Sequence, residues 1–342
     1  MKSNTEYIIK TLSLPKIGRK TAFKIFNQLS HSISNDTDWV DFILEQAGSF
    51  RLPEYTKSDF ENAIKKYENI IFKSEKSNIK QVSYYDSAFP KLLKNVPDSP
   101  IILNYVGDLS ILDSMPTLAI IGTREPSDFG YQSGVRISEL FTNFGFNIIS
   151  GLALGCDTAG HRGCLNAKGK TTAILAHGLD KIYPKENKTL AEEIIDNGGI
   201  LVSEYFVEQS PLANYFVERD RIQAWLSLGI FVVETDIKGG TMHTVKFAFE
   251  ANRIVSTLNH PNDKQNHPKV NGNQYLIKEK KAIPVGNSTD VDFLKSKLME
   301  RFSPSNIEEK PVVKPIEDEK INPTTSKIKK DNNKPSQPTL WD

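Results

Sequence analysis

Residues 118–155 carry the reading that decides the fold: Leu118-Ala119-Ile120-Ile121-Gly122-Thr123-Arg124, an amphipathic stretch from Phe129 to Phe144, then Asn147-Ile148-Ile149-Ser150-Gly151-Leu152-Ala153-Leu154-Gly155. The two apolar runs are too short for helices and lack the polar alternation of a half-exposed strand, so they read as strands buried on both faces. A helical period lies between them, and strand–helix–strand spells a βαβ unit with parallel strands. The alternation continues through Thr172 to Leu175, Ile200 to Ser203, Ile230 to Glu234 and Ile254 to Leu258, with a second amphipathic stretch from Glu186 to Asn197. The expected class is α/β, an extended Rossmann-like sheet, parallel or mixed. Such sheets bind ligands beyond the carboxyl ends of their strands, so functional residues should follow each strand directly.

Working outward, Tyr84 to Pro116 is a connector punctuated by Pro90, Pro97, Pro100 and Pro116, with one strand from Ile101 to Gly107. Residues 1–80 read as a small helical domain, with helical spacing from Phe60 to Ile71. Leu14 to Ala22 is similar to the turn of a helix-hairpin-helix, although an ordinary packing turn is favoured for so short a match. The expected division is 1–80 helical, 81–300 Rossmann-like, and 301–342 a disordered tail too polar to offset its ordering entropy.

The chain has 342 residues, a formal net charge of +1 and two cysteines, Cys156 and Cys164. The balanced charge gives no global basic field, so a nucleic-acid partner needs a local cluster of cations. The N-terminus lacks the apolar core of a signal peptide, and no apolar run approaches the ~20 residues that span a bilayer. A cytoplasmic protein away from the membrane is expected. His177, His243, His260 and His267 show no ligand spacing, so neither metal nor cofactor is expected.

Each strand end carries small or charged residues: Gly122-Thr123-Arg124, Ser150-Gly151, His177 to Asp180 leading to Tyr183-Pro184-Lys185, Ser203-Glu204-Tyr205, and Glu234 to Asp236 leading to Gly239-Gly240-Thr241. Glycine and serine there leave backbone amides open at helix starts, where anions bind. Strand-to-helix turns account for the glycines alone, but not for Arg124 and Lys185 on the same rim with Arg219 and Arg221 nearby. The spacing is neither a Walker loop nor a dinucleotide fingerprint. Asp157 and His161 stand four apart on a helix face, read as a hydrogen-bonded structural pair rather than an acid–base pair. Glu204 and Glu234 are expected to pair with Arg219 or Arg221. Tyr183, Tyr205 and Phe216 are open between stacking on bases and packing in the core.

Six motifs in order give the chain a family resemblance. Ala119 to Arg124, Ile149 to Asp157 with His161, Gly178-Leu179-Asp180 with Tyr183 to Asn187, Leu201 to Tyr205, Phe216 to Ile222, and the earlier Phe89 to Leu93 with Pro100 resemble the DNA-processing protein A (DprA/Smf) family across roughly Tyr84 to Val285. The resemblance implies a homodimer that binds single-stranded DNA and passes it to the recombinase RecA without catalysis, in recombination or natural transformation. By motif it implies DNA contacts from Gly122, Arg124, Ser150, Gly151, Lys185, Arg219 and Arg221. The sequence departs from the pattern at Asp220, where the family usually has Asn, at Gly160, at Gly239 to Thr241 and at Leu258 to Pro261, and it lacks the winged-helix domain of many members.

Two other readings stand beside it. The sheet also suits a nucleotide sensor or a phosphoribohydrolase of the lysine-decarboxylase-like superfamily, yet Thr244 stands where that catalytic loop carries Glu. A plain scaffold is the third. Gln337-Pro338-Thr339-Leu340-Trp341 resembles the short peptides that enter the bacterial sliding clamp, with chance in a polar tail as the competing reading.

Overall fold

Residues 4–302, apart from 31, 95 and 266, are described by a computed structural model. The tail, including the clamp-like peptide at 337–341, lies outside the described residues. Four helices come first: α1 (Thr5–Ser13), α2 (Arg19–Phe26), α3 (Asp36–Phe50) and α4 (Lys57–Lys76). A capping box between Thr56 and Asp59 starts α4. There follow β1 (Lys80–Ser83), β2 (Ile102–Val106), α5 (Ile111–Ser114), β3 (Thr117–Ile121), α6 (Asp128–Asn143), β4 (Asn147–Ser150), α7 (Cys156–Asn166), β5 (Thr171–Leu175), α8 (Lys188–Asp196) and β6 (Ile200–Ser203). The chain then forms α9 (Ala213–Trp225), β7 (Gly229–Val232), α10 (Thr241–Glu250), β8 (Ile254–Leu258), α11 (Asn271–Lys278), β9 (Ile283–Val285) and α12 (Ser288–Phe302).

The nine strands form one sheet in the order β1-β2-β6-β5-β4-β3-β7-β8-β9. From β6 to β9 every pairing is parallel; β2 pairs antiparallel with both β1 and β6. Every residue of β3, β4, β5, β6 and β7 is buried, as expected when helices cover both faces. The α/β class read from the alternating pattern therefore holds. Two short strands escaped that reading. β1 has only two buried residues, and β9 is a three-residue edge strand containing Pro284, which only an edge tolerates.

The winding positions the site. From β3 the chain steps outward through β4, β5 and β6, then returns to β3's other side with β7, β8 and β9. The crevice between the carboxyl ends of β3 and β7 is the switch point of the sheet.

The helices α1–α4 share a continuous apolar cluster with the sheet: Ile8, Ile25, Trp39 and Ile43 belong to the same core as Ile102, Ala173 and Leu201. A buried charge network fastens them further. Arg221 on α9 donates to both carboxylate oxygens of Glu204 at 2.8 and 2.7 Å, to Asp98 at 3.3 Å and to the Glu218 carbonyl at 2.9 Å. Arg19, at the start of α2, donates to Asp98 and Glu218 at 2.7 Å each. Arg19, one of the three cations of the hairpin-like turn at 14–22, is thus engaged within the molecule. Removing one member of such a network leaves buried charge uncompensated, which costs roughly 3–5 kcal/mol when the pair is fully buried. Arg221→Ala should lower stability by about that much, and Arg19→Ala by less because Arg19 is partly open to water. Urea unfolding of the two variants checks this; Arg221→Ala behaving like a surface substitution would refute the role given to the network.

Candidate nucleic-acid interface

The loops that leave β3, β4 and β7 surround a cleft of about 470 Å³ at the switch point, with α9 and α10 as its far walls. Its lining includes Gly122, Thr123, Arg124, Asp157, Phe216, Arg219, Asp220, Gln223, Thr244 and Lys269. At its back lies the Arg219 guanidinium. It donates to the Ile174 carbonyl at 3.1 Å and sits between Asp220 at 3.3 Å and Asp157 at 3.8 Å. A Cβ built on Gly151 would stand 1.3 Å from Arg219 Nη1, so residue 151 must be glycine for the arginine to occupy this place. Gly155, with φ +77°, turns the chain into α7, and its own missing Cβ makes room for the Arg124 carbonyl.

Two carboxylates around one guanidinium set the electrostatics of the floor. Burial pushes the Asp220 carboxyl up to about 7, and nearby Asp157 adds to this, against the opposing pull of Arg219, Arg124 and Thr244. Burial also raises Asp157. The positive charge of Arg219 is therefore largely spent inside the molecule.

Arg124 differs. It is exposed, and among the described residues no carboxylate lies within ion-pair distance of it. Its guanidinium stands over the Phe216 ring at 5.2 Å, and Phe216 lies 5.9 Å from the exposed Tyr183 ring. A cation and one aromatic ring thus line the cleft, with the Tyr183 ring beside them outside its lining. Asn187 fixes the Tyr183 loop against the turn after β4 by donating to the Leu152 carbonyl at 2.8 Å and to Thr158 at 2.9 Å. Lys185, exposed and outside the cleft lining, lies between Tyr183 and Asn187 on that loop.

The structure brings Gly122, Arg124 and Arg219 together in the cleft, with Gly151 beneath Arg219. It separates the others. Arg221 is turned away into the network with Glu204 and Asp98. The Ser150 hydroxyl is wholly buried and donates to the Ile120 carbonyl at 2.6 Å, so it faces the sheet and not the cleft. Asp157 and His161 do not bond to each other. Asp157 accepts from the Ala153 amide at 3.2 Å and faces Arg219. His161 Nδ1 lies 2.7 Å from the Thr171 hydroxyl, whose hydrogen goes to the Ile148 carbonyl at 2.6 Å. Nδ1 must then carry the proton. Burial and the nearby Arg219 hold His161 down at about 3, neutral at any ordinary pH.

Of the two strand-end glutamates, Glu204 takes its arginine and Glu234 does not. Glu234 accepts from the Ser127 amide at 2.8 Å and hydroxyl at 2.6 Å, and from His260 Nε2 at 3.2 Å. Burial pushes its carboxyl up, but these hydrogen bonds outweigh burial and hold it below the usual range. Ser127 caps α6, so a carboxylate of the protein already occupies the helix start that follows the first parallel strand, the usual phosphate seat of this architecture. Tyr205 also resolves toward packing, stacked on Tyr215 at 4.0 Å. Gln223, Thr244 and Lys269 are among the lining residues that the strand-end reading missed. The signal for Gln223 was a polar residue within the apolar run Ile222-Gln223-Ala224-Trp225.

Comparison with known proteins places this geometry in a lineage. The family of DNA recombination-mediator protein A matches residues 80–294. Protein Smf of Synechocystis sp. is 38% identical over 206 residues, 58% of this chain and 52% of that protein. DNA processing protein DprA of Streptococcus pneumoniae is 38% identical over 176 residues, 52% of this chain and 61% of that protein. The matches span little more than half the length of these relatives. The X-ray structure of DNA processing protein A from Streptococcus pneumoniae aligns with a TM-score of 0.69 at 28% identity, covering 85% of this chain and 98% of that one. DNA processing protein A from Helicobacter pylori, described for its single-stranded DNA binding mode, aligns with a TM-score of 0.56 at 26% identity, covering 65% and 96%. The matched span runs from β1 into α12 and contains every residue of the cleft, and on that extent of agreement the chain belongs to the DNA recombination-mediator protein A (DprA/Smf) family.

Proposed function

We propose that the chain binds single-stranded DNA across the mouth of the switch-point cleft and acts as a recombination mediator that makes and breaks no covalent bond. The observation that carries the reading is the exposed Arg124, with no carboxylate at ion-pair distance among the described residues, set over Phe216 beside Tyr183. A single strand offers alternating phosphates and unstacked bases, and a cation set among aromatic faces meets both; stacking alone is worth roughly 1–3 kcal/mol per base. A duplex keeps its bases stacked inside and gains nothing from the rings. Lys185 extends the cationic side of the rim. The family relation and the DNA-binding relative from Helicobacter pylori support the same reading. Transfer of the strand to RecA, a homodimeric state and a cytoplasmic setting are further parts of this proposal, and the family relation supports them. No helix among the described residues is long and apolar enough to cross a membrane.

The enzyme reading has less behind it. Glu234 fills the α6 phosphate seat, His161 is buried and neutral, and burial raises both thiols, Cys164 to about 11.

Binding to a labelled single strand should be salt-sensitive and weaker for duplex. Arg124→Ala should lower the slope of log affinity against log salt by about 0.7, the share of one phosphate contact on a single strand. Arg124→Glu with Lys185→Glu should abolish binding at physiological salt. Titration by fluorescence anisotropy reads all of these, and a double variant that binds like wild type would disprove the site.

The raised Asp220 carboxyl adds a pH dependence. Neutral below about 7 and anionic above, it opposes phosphate only on the alkaline side. Single-strand affinity should therefore fall several-fold as pH rises from 6 to 8. Arg219 and Asp157 flank this carboxyl, Arg124 and Thr244 act on it, and His243 shares the cleft. The comparison is thus made with Asp220→Asn, which should flatten the profile and bind at pH 8 as tightly as wild type does at pH 6. A profile unchanged in Asp220→Asn would assign the effect to another group.

A further inference from the structure

A second group of cations lies on the far side of α9 from the cleft. Lys20 and Lys24, four apart, share the solvent face of α2, and Asn27 closes that face. Tyr85, which follows β1, is 37% exposed and lies along its edge. Its hydroxyl donates to Asn27 Oδ1 at 2.8 Å, and its ring stands 6.2 Å from Phe23. Lys94 sits 5.8 Å from the centre of the neighbouring Tyr84 ring, which packs on Phe23 at 4.7 Å. Three lysines and two tyrosines thus gather around α2.

The acidic groups nearby are committed to other partners. Asp98 is held by Arg19 at 2.7 Å and by Arg221 at 3.3 Å, and reaches Lys20 only at 3.9 Å. Asp86 accepts from the Ser83 amide and hydroxyl and from the Thr5 hydroxyl. Among the described residues no carboxylate lies within ion-pair distance of Lys24 or Lys94. The surface also adjoins the cleft. Phe216 and Arg219 of α9 line the cleft, while Glu218 of the same helix accepts from Arg19, at the start of α2, at 2.7 Å. The thickness of one helix, about 10–12 Å, stands between the cleft and the start of α2.

We propose that this face of α2, together with Lys94 and Tyr85, carries the stretch of single strand that leaves the cleft across α9. The inference rests on the single-strand reading and lengthens its footprint from the rim onto the N-terminal helices. Lysine heads serve phosphates as point charges and read no bases, and an exposed ring among them offers a face on which any base stacks. A strand meets both at once, as it does at Arg124 and Phe216; an acidic protein surface would answer the lysines alone. Arg19 and Lys20 then divide the work of the turn at 14–22. The arginine anchors the turn to α9, and the lysine beside it faces outward.

The test measures affinities of wild type and of the triple variant Lys20→Ala, Lys24→Ala, Lys94→Ala for dT oligomers of about 5 and about 30 nucleotides across a salt series. The first length is near the smallest site of a single binding fold and the second is beyond the largest. Among the described residues none of the three lysines donates a hydrogen bond, so the variant should keep the wild-type urea midpoint. On the long oligomer it should lose about 2 from the slope of log affinity against log salt, the share of three phosphate contacts, and bind roughly ten-fold more weakly at physiological salt. On the short oligomer, read at low salt, it should match wild type within about two-fold. Tyr85→Leu should weaken the long oligomer several-fold and leave the slope unchanged. A triple variant that binds the long oligomer like wild type would overturn the extended path and leave the face to an acidic protein. Equal losses on both lengths would overturn it as well, and both results leave the cleft reading intact. Wild type that binds neither oligomer would instead remove the underlying reading, and the path with it.

Discussion

The architecture of the site depends on one buried cation. Arg219 crosses the sheet's carboxyl edge, with its guanidinium on the Gly151 backbone, a hydrogen bond to β5 and carboxylates on either side. It joins the turn after β4, the first turn of α7, the end of β5 and the middle of α9. A charge in that position survives only when paired, so Asp157 and Asp220 are consequences of Arg219 as much as neighbours of it. Their closeness to each other and their burial push Asp220 toward neutrality, and this keeps the floor of the cleft from being strongly anionic.

Three arginines that look equivalent in sequence thereby take three different tasks. Arg219 holds the floor together, and Arg221, two residues on, faces the opposite side of α9 and ties the helices of the N-terminal part to the sheet through Asp98 and Glu204. Arg124 alone keeps its charge for solvent, aligned over Phe216. The division follows from helix geometry, since side chains two apart on a helix point to different sides. It leaves a mouth that is cationic and aromatic and a floor that is polar and nearly neutral.

Other polar groups of the sheet's edge are closed off. Glu234 fills the α6 start, Ser150 bonds within the sheet, and His161 is a neutral brace on Thr171. Their commitment leaves the exposed cations of the rim, Arg124 and Lys185, as the groups that face solvent.

Much of this was already written in the local pattern. Continuous apolar runs fixed the parallel strands, the helical period between them fixed the crossovers, and the glycine and arginine after β3 marked the correct end of the sheet, because these features depend only on neighbours along the chain. The edge strands β1 and β9 were too short for such a pattern to register. What the chain order could not supply was the choice of partner. Arg221 meets Asp98 from 123 residues away, Ser127 meets Glu234 across 107, and Gln223 opens onto a cleft whose opposite wall is the turn after Ile121. Whether a polar side chain is spent or free depends on which distant group folding brings within about 3 Å of it, and only the tertiary structure decides that.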